Sequence, residues 1–130
     1  MPANDTKETI LVIDDDDAVR RGLLRLLQNA GFETLEARDG SEAIHVFSEH
    51  SKTITAVTLD LEMPTTNGRE TLAMLSEYAA DLPIIVATAY PMPDDLLGRR
   101  PGDRGVGYLQ KPFTSIELTA ALRRVIDEMK

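Results

Sequence analysis

The sequence predicts a doubly wound α/β fold: one parallel sheet of five strands with right-handed crossover helices on both faces. Two features carry this expectation. Short continuous runs of Leu, Ile, Val and Ala suit strands buried on both faces. Between these runs lie segments with apolar residues at helical spacing, and every connection is too long for a hairpin.

The first run, Ile10-Leu11-Val12-Ile13, ends abruptly in Asp14-Asp15-Asp16-Asp17. Val19, Leu23, Leu26, Leu27 and Ala30 then recur at helical spacing, with Asp16 or Asp17 placed to cap the start and Gly31 to end the helix. Phe32 to Ala37 reads as a second strand closed by Asp39-Gly40. Ser41 is available to cap the next helix, which runs to about Glu49 and buries Ala43, Ile44 and Phe47. The third strand, 54–59, carries Asp60 to its carboxyl end, and Pro64 forbids continuation by removing a backbone donor. Asn67-Gly68 supplies a turn tolerant of positive φ, and a helix from Arg69 buries Leu72, Leu75 and Ala79. Pro83 opens the fourth strand, Ile84-Ile85-Val86-Ala87, which ends in Thr88. Segment 91–107 holds Pro91, Pro93, Pro101, Gly98, Gly102, Gly105 and Gly107, leaving room for a brief helix near Asp94–Arg100. Val106 to Gln110 is the last strand, ending at Lys111-Pro112. Thr114 and Glu117 have capping-box spacing at the start of the final helix, whose apolar stripe is Leu118, Leu122, Val125, Ile126 and Met129.

Composition narrows the function. A chain of 130 residues fits a single compact domain, and 42% hydrophobic content is enough for a real core. Lys+Arg 14 against Asp+Glu 22 leaves a net charge of −8, which argues against direct binding to nucleic acid or an anionic membrane. The absence of cysteine excludes a disulfide framework and a thiolate metal site, and suits a reducing compartment. Residues 1–8 read as a flexible polar tail without the apolar stretch of a signal peptide, and 9–130 as the domain proper. No run approaches the ~18 apolar residues of a membrane helix, so a cytoplasmic setting is expected.

In a parallel sheet all strand carboxyl ends share one edge, the edge where such folds bind ligands. Asp14, Asp15, Asp60, Thr88 and Lys111 therefore gather there if their four strands are neighbours, since adjacent strands lie only ~4.8 Å apart. Singly, each has an ordinary reading as a helix-start acid, a strand hydroxyl or a solvated lysine. Together, strand ends carrying acid, acid, hydroxyl and lysine are not what packing demands. Carboxylates this close repel unless a cation sits among them, and magnesium favours carboxylate, water and phosphate oxygens. Lys111 and the Thr88 hydroxyl suit the oxygens of a phosphoryl group. Asp60 is then left as the nucleophile, because a carboxylate can attack phosphorus to form an acyl phosphate.

From about Thr9 to Glu128 the chain resembles the receiver domain of two-component response regulators. The resemblance is carried by Ile10-Leu11-Val12-Ile13-Asp14-Asp15, Leu59-Asp60-Leu61-Glu62-Met63-Pro64 with Gly68, Ala87-Thr88-Ala89, and Tyr108-Leu109-Gln110-Lys111-Pro112-Phe113. It implies the flavodoxin-like strand order 2-1-3-4-5. It also implies phosphorylation of Asp60 by a histidine kinase or a histidine phosphotransfer domain, with Mg2+, for which Mn2+ can substitute. The ion would be held by Asp15, Asp60 and the Glu62 backbone carbonyl, with Asp14 helping through water. Thr88 and Tyr108 would be the switch pair, Thr88 moving toward the phosphoryl group as the Tyr108 ring reorients. Lys111-Pro112 resembles the pair whose peptide bond is cis in this family. Glu62 and Tyr90 flank the phosphoryl position in such domains, and their charge and bulk are expected to hinder water and set the phosphate's lifetime. The activity implied is that of a phosphorylated switch with slow autodephosphorylation. Further partners would be a second copy of the chain or a covalently linked output or kinase domain. Segment 91–107 departs from the family's full fourth helix and resembles the shortened form of receivers joined to hybrid histidine kinases.

Competing readings explain less. A haloacid-dehalogenase-like phosphatase would use Asp14 and Asp16 but leave Asp60 without a role, and no acid pair follows Lys111. A receiver that signals without phosphorylation should lack part of the acid, hydroxyl and lysine set, which is complete here. Four aspartates after the first strand repel the phosphate that a nucleotide-binding loop must cradle. His45 and His50, five residues apart, do not share a helix face and read as surface residues. Arg99, Arg100 and Arg104 read as a solvated basic loop.

Overall fold

The structure, a computed structural model, describes residues 7–63, 68–91, 98, 99 and 101–130. Five strands, β1 (Thr9–Ile13), β2 (Glu33–Ala37), β3 (Ile54–Asp60), β4 (Ile84–Thr88) and β5 (Val106–Gln110), form one parallel sheet in the order β2-β1-β3-β4-β5. Among the described residues there are four helices, α1 (Asp17–Asn29), α2 (Gly40–His50), α3 (Gly68–Tyr78) and α4 (Ser115–Glu128). The brief helix expected near Asp94–Arg100 falls largely outside the described residues.

The strand runs are apolar throughout because alternate residues feed two cores. Leu11, Ile13, Val57, Leu59, Ile84 and Val86 join Ala43 and Phe47 of α2 and Leu72 and Leu75 of α3 on one face. Ile10, Val12, Ala56 and Ile85 join Leu27 of α1 and Leu118, Leu122, Val125 and Ile126 of α4 on the other. Truncating a fully buried member such as Leu122 to alanine costs about 2–5 kcal/mol. With both faces covered, the open edge at the strands' carboxyl ends is left for chemistry.

The helix ends follow local chemistry, with three corrections to the sequence reading. Asp16 caps α1, accepting from the Val19 amide at 3.0 Å. Gly31, at φ 99°, closes that helix as its amide reaches Gln28 O and the Phe32 amide reaches Leu27 O, which turns the chain into β2. Thr114 and Glu117 form the expected capping box on α4. The first correction concerns α2, whose cap is Asp39 rather than Ser41. The Asp39 side chain accepts from the Glu42 amide, and Glu42 reaches back to the Arg38 amide, so the helix starts before Ser41. The second concerns α1, where Val19 is 41% exposed and Ala30 is also exposed. The helix packs over β1 and the edge strand β2, so its ends overhang the apolar layer that buries Leu27. The third is Gly68, the first residue of α3 rather than a turn residue, and its φ is not positive. A Cβ there would stand 2.5 Å from the Leu61 Cα and 2.7 Å from the Asp60 carbonyl oxygen. Glycine is required by close approach, which seats α3 against the end of β3.

The arginines near β5 are also not merely solvated. Arg99 is half-buried, and its guanidinium donates to the carbonyls of Ala79, Leu82 and Arg104 while its amide reaches the Ser76 hydroxyl. Arg104 donates to Glu128 O at 2.7 Å, and the Gly105 amide donates to the Glu128 side chain at 2.8 Å. A planar fork with several donors satisfies carbonyls beyond the end of α3. Arg100 lies outside the described residues. At the other terminus, Glu8 is paired with Arg123 at 2.8 Å and its carbonyl accepts from the Glu33 amide, while residues 1–6 lie outside the described residues.

Candidate functional site

Sheet order places the ends of β1, β3, β4 and β5 side by side, and the strand-end residues meet there. Asp14 follows β1 directly, its amide bonded to Ala37 O of β2 at 3.1 Å and its side chain 1% exposed. Asp60 ends β3, also buried, with one carboxylate oxygen accepting from the Glu62 amide at 3.0 Å. Oxygens of Asp14, Asp15 and Asp60 lie within 4.8 Å of one another. Lys111, just past β5, holds its ammonium 3.3 Å from Asp60 and 3.6 Å from Asp14. Its backbone amide donates to Thr88 O at 2.8 Å, tying the β5 end to the β4 end. The Lys111-Pro112 peptide bond is cis.

The electrostatics match this crowding. Burial pushes the Asp14 carboxyl above its ordinary range, aided by the Asp60 charge and opposed by the Asp16 amide bond and by Lys111. Burial alone would lower the Lys111 ammonium, but Asp60 and Asp14 outweigh it and hold its pKa above the ordinary value. The pocket therefore carries more buried negative charge than one lysine offsets. Hard carboxylate oxygens with surplus charge are the donor set a divalent cation takes.

Sequence reasoning missed Arg20. The residue is 5% exposed, and its guanidinium donates to Asp14 O at 2.9 Å, to Glu36 at 2.7 Å and to Asp17 at 2.6 Å. Arg20 thus grips the backbone that presents Asp14 and ties it to β2. The bonds to Glu36 and Asp17 raise its pKa against the opposing effect of burial. One signal was available: Arg20 precedes Leu23, Leu24 and Leu27 by three, four and seven residues, a cation on the buried stripe itself.

On the β4 side, Thr88 is buried and its hydroxyl donates to Glu62 Oε2. The other carboxylate oxygen of Glu62 accepts from the Ala89 amide at 2.9 Å. The Thr88 hydroxyl oxygen in turn accepts from the Tyr90 amide at 3.1 Å. The half-buried Tyr108 directs its hydroxyl to Tyr90 O at 3.4 Å, and the Tyr90 side chain is 65% exposed. His45 and His50 are exposed on α2, His45 being 3.5 Å from Glu49.

Residues 10–123 match the family model of the response regulator receiver domain. The chain belongs to that family. As a receiver domain it is a phosphoacceptor switch of two-component systems. It is 40% identical to the response regulator MprA of Mycobacterium sp. (strain KMS) over 119 residues, covering 90% of this chain and 50% of that protein. It is 31% identical to the sensor kinase CckA of Brucella abortus over 121 residues, 92% of this chain and 13% of that protein. The receiver thus spans half or less of these curated relatives. Among solved structures it is similar to the response regulator TrrA of Thermotoga maritima in complex with Mg2+ and BeF. Identity there is 31% and the TM-score 0.76, over 91% of this chain and 98% of that one. The doubly wound fold and its 2-1-3-4-5 order are those of CheY-like receivers. No helix among the described residues is long and apolar enough to cross a membrane.

Proposed function

We propose that Asp60 is the phosphoacceptor of this receiver, charged by a histidine kinase or a histidine phosphotransfer domain. The observation that carries this is the Asp60 carboxylate at the end of β3, with the Lys111 ammonium at 3.3 Å and two further acids beside it. An Asp60 oxygen forms the new P–O bond as the P–N bond to the donor imidazole breaks, and the imidazole keeps the electron pair. Lys111 holds one phosphoryl oxygen, and the Thr88 hydroxyl turns from Glu62 to another. Tyr108 follows Thr88, which converts charge at Asp60 into a change at the surface beside β5.

Asp14, Asp15, Asp60 and the Glu62 carbonyl are the groups that would hold Mg2+, or Mn2+ in its place. When bound, the ion neutralises charge shared by the carboxylates and the phosphoryl oxygens. Glu62 and Tyr90 would flank the aspartyl phosphate, where their charge and bulk slow attack by water and set the rate of autodephosphorylation. We further read residues 9–130 as the receiver and 1–8 as a tail whose last residue, Glu8, is tied to the domain through Arg123 and the Glu33 amide, working in the cytoplasm. Its partner would be a second copy or a linked kinase or output domain, the similarity to CckA favouring a kinase link.

Mass spectrometry after incubation with acetyl phosphate and Mg2+ tests the central step. The wild-type chain should gain one phosphoryl group and Asp60→Asn none. Equal labelling of the two, or none of the wild type, would overturn the assignment.

A further inference from the structure

We propose that Glu62 is a built-in competitor for the phosphoryl group: in the resting chain its carboxylate fills the anion cradle at the end of β4 and must leave before a phosphoryl group on Asp60 can use it. The inference rests on the phosphoacceptor reading of Asp60 and adds a latch to it.

The cradle consists of the Thr88 hydroxyl and the Ala89 amide, two donors at one strand end. Glu62 divides its two carboxylate oxygens between them, as two oxygens of a phosphoryl group would be divided. The Lys111 ammonium also feels the Glu62 charge. Packing does not require this arrangement, because Glu62 is exposed and water could solvate its carboxylate. Tethering favours it: Glu62 lies two residues beyond Asp60, and its own amide is bonded to the Asp60 carboxylate. A carboxylate held this close meets the donors at a high effective concentration. The consequence is a resting state in which Thr88 is already engaged. Departure of Glu62, not arrival at an empty donor, is then what the switch registers.

The energetic expectation follows from population arithmetic. A latch closed ten times as often as open lowers the apparent affinity for a phosphoryl mimic about tenfold. Charge and reach can be separated by substitution. Glu62→Asp keeps the charge but is one methylene shorter, Glu62→Gln keeps the reach without the charge, and Glu62→Ala removes both.

The experiment titrates the full chain with beryllofluoride in the presence of Mg2+ and follows the Ala89 amide resonance by NMR. Glu62→Ala should bind about tenfold tighter and Glu62→Asp roughly threefold tighter, while Glu62→Gln falls between wild type and Glu62→Ala. The Ala89 amide should shift in the unliganded Ala and Asp variants. A wild-type affinity in Glu62→Asp combined with tight binding by Glu62→Gln would reduce the effect to charge repulsion and overturn the latch. An unshifted Ala89 amide in Glu62→Ala would overturn it equally. If wild type and all variants failed to bind, the phosphoacceptor reading would fall with it. Binding by wild type with unchanged variants would sink the latch alone.

Discussion

On the β1 and β3 side of the site, cations sit among carboxylates; on the β4 side, a carboxylate sits among donors. Arg20 and Glu62 make comparable polar contacts, three for the guanidinium and two for the carboxylate. They differ in burial. Arg20 is 5% exposed and its loss strands a buried carbonyl, whereas Glu62 is exposed and water can replace both of its bonds. The acid side is therefore built to keep its shape, whereas the hydroxyl side, on the latch proposed above, exchanges one anion for another. A switch needs both, a fixed place for chemistry and a neighbour free to move.

The contrast can be broken most severely at Arg20. Arg20→Ala should cost about 3 kcal/mol by urea denaturation, because a hydrogen-bonded buried charge is removed and Asp14 O loses its partner. Mg2+ affinity, measured by calorimetry, should fall with it. Arg20→Lys should not rescue either property, since an ammonium cannot span three acceptors in a planar fork. Gly68→Ala comes next. Its new methyl meets backbone at the end of β3, and the overpacking should cost about 2 kcal/mol and slow phosphorylation by displacing Asp60. A fully wild-type phosphorylation rate would show that the seat of α3 does not position the site.

Asp14→Asn should change stability less, and in the opposite direction. Because burial raises the folded-state pKa of this acid above its unfolded value, the native chain holds more protons in that window. Stability is then lost as pH rises from the unfolded pKa through the folded one, and stays lower at neutral pH. The asparagine variant should melt higher at neutral pH, and its advantage should vanish in acid below the ordinary carboxylate range. An unchanged melting temperature at neutral pH would mean that Lys111 already offsets the burial. The smallest effect is expected at Glu62→Ala, within about 0.5 kcal/mol of wild type by urea denaturation. A larger loss would mark Glu62 as structural and erase the difference between the two sides.

Much of this arrangement is legible in the sequence. Apolar runs placed β1 and β4, and the strand-end residues Asp14, Asp60, Thr88 and Lys111 were legible because a parallel sheet sends all carboxyl ends to one edge. The caps at Asp16 and Thr114 were readable because the partner lies three residues away. Asp39 was missed because Ser41, two residues on, offers the same chemistry, and only backbone geometry decides where the helix begins. Gly68 reads in the sequence as a turn former but serves close approach, since a sequence shows missing side chains but not what approaches them.

The sequence by itself determined which faces are buried, where the strands end and which chemical groups share an edge. These depend on the partition of side chains between water and an apolar interior, and that partition repeats with the local period of helix or strand. Only the tertiary structure decided that Arg20 grips Asp14 and Glu36, that Arg99 staples Ala79 and Leu82, and that Glu62 holds Thr88. Those partners are 6 to 26 residues apart in the chain and are joined through long side chains or backbone carbonyls. Such choices follow from which acceptors the completed fold brings within about 3 Å.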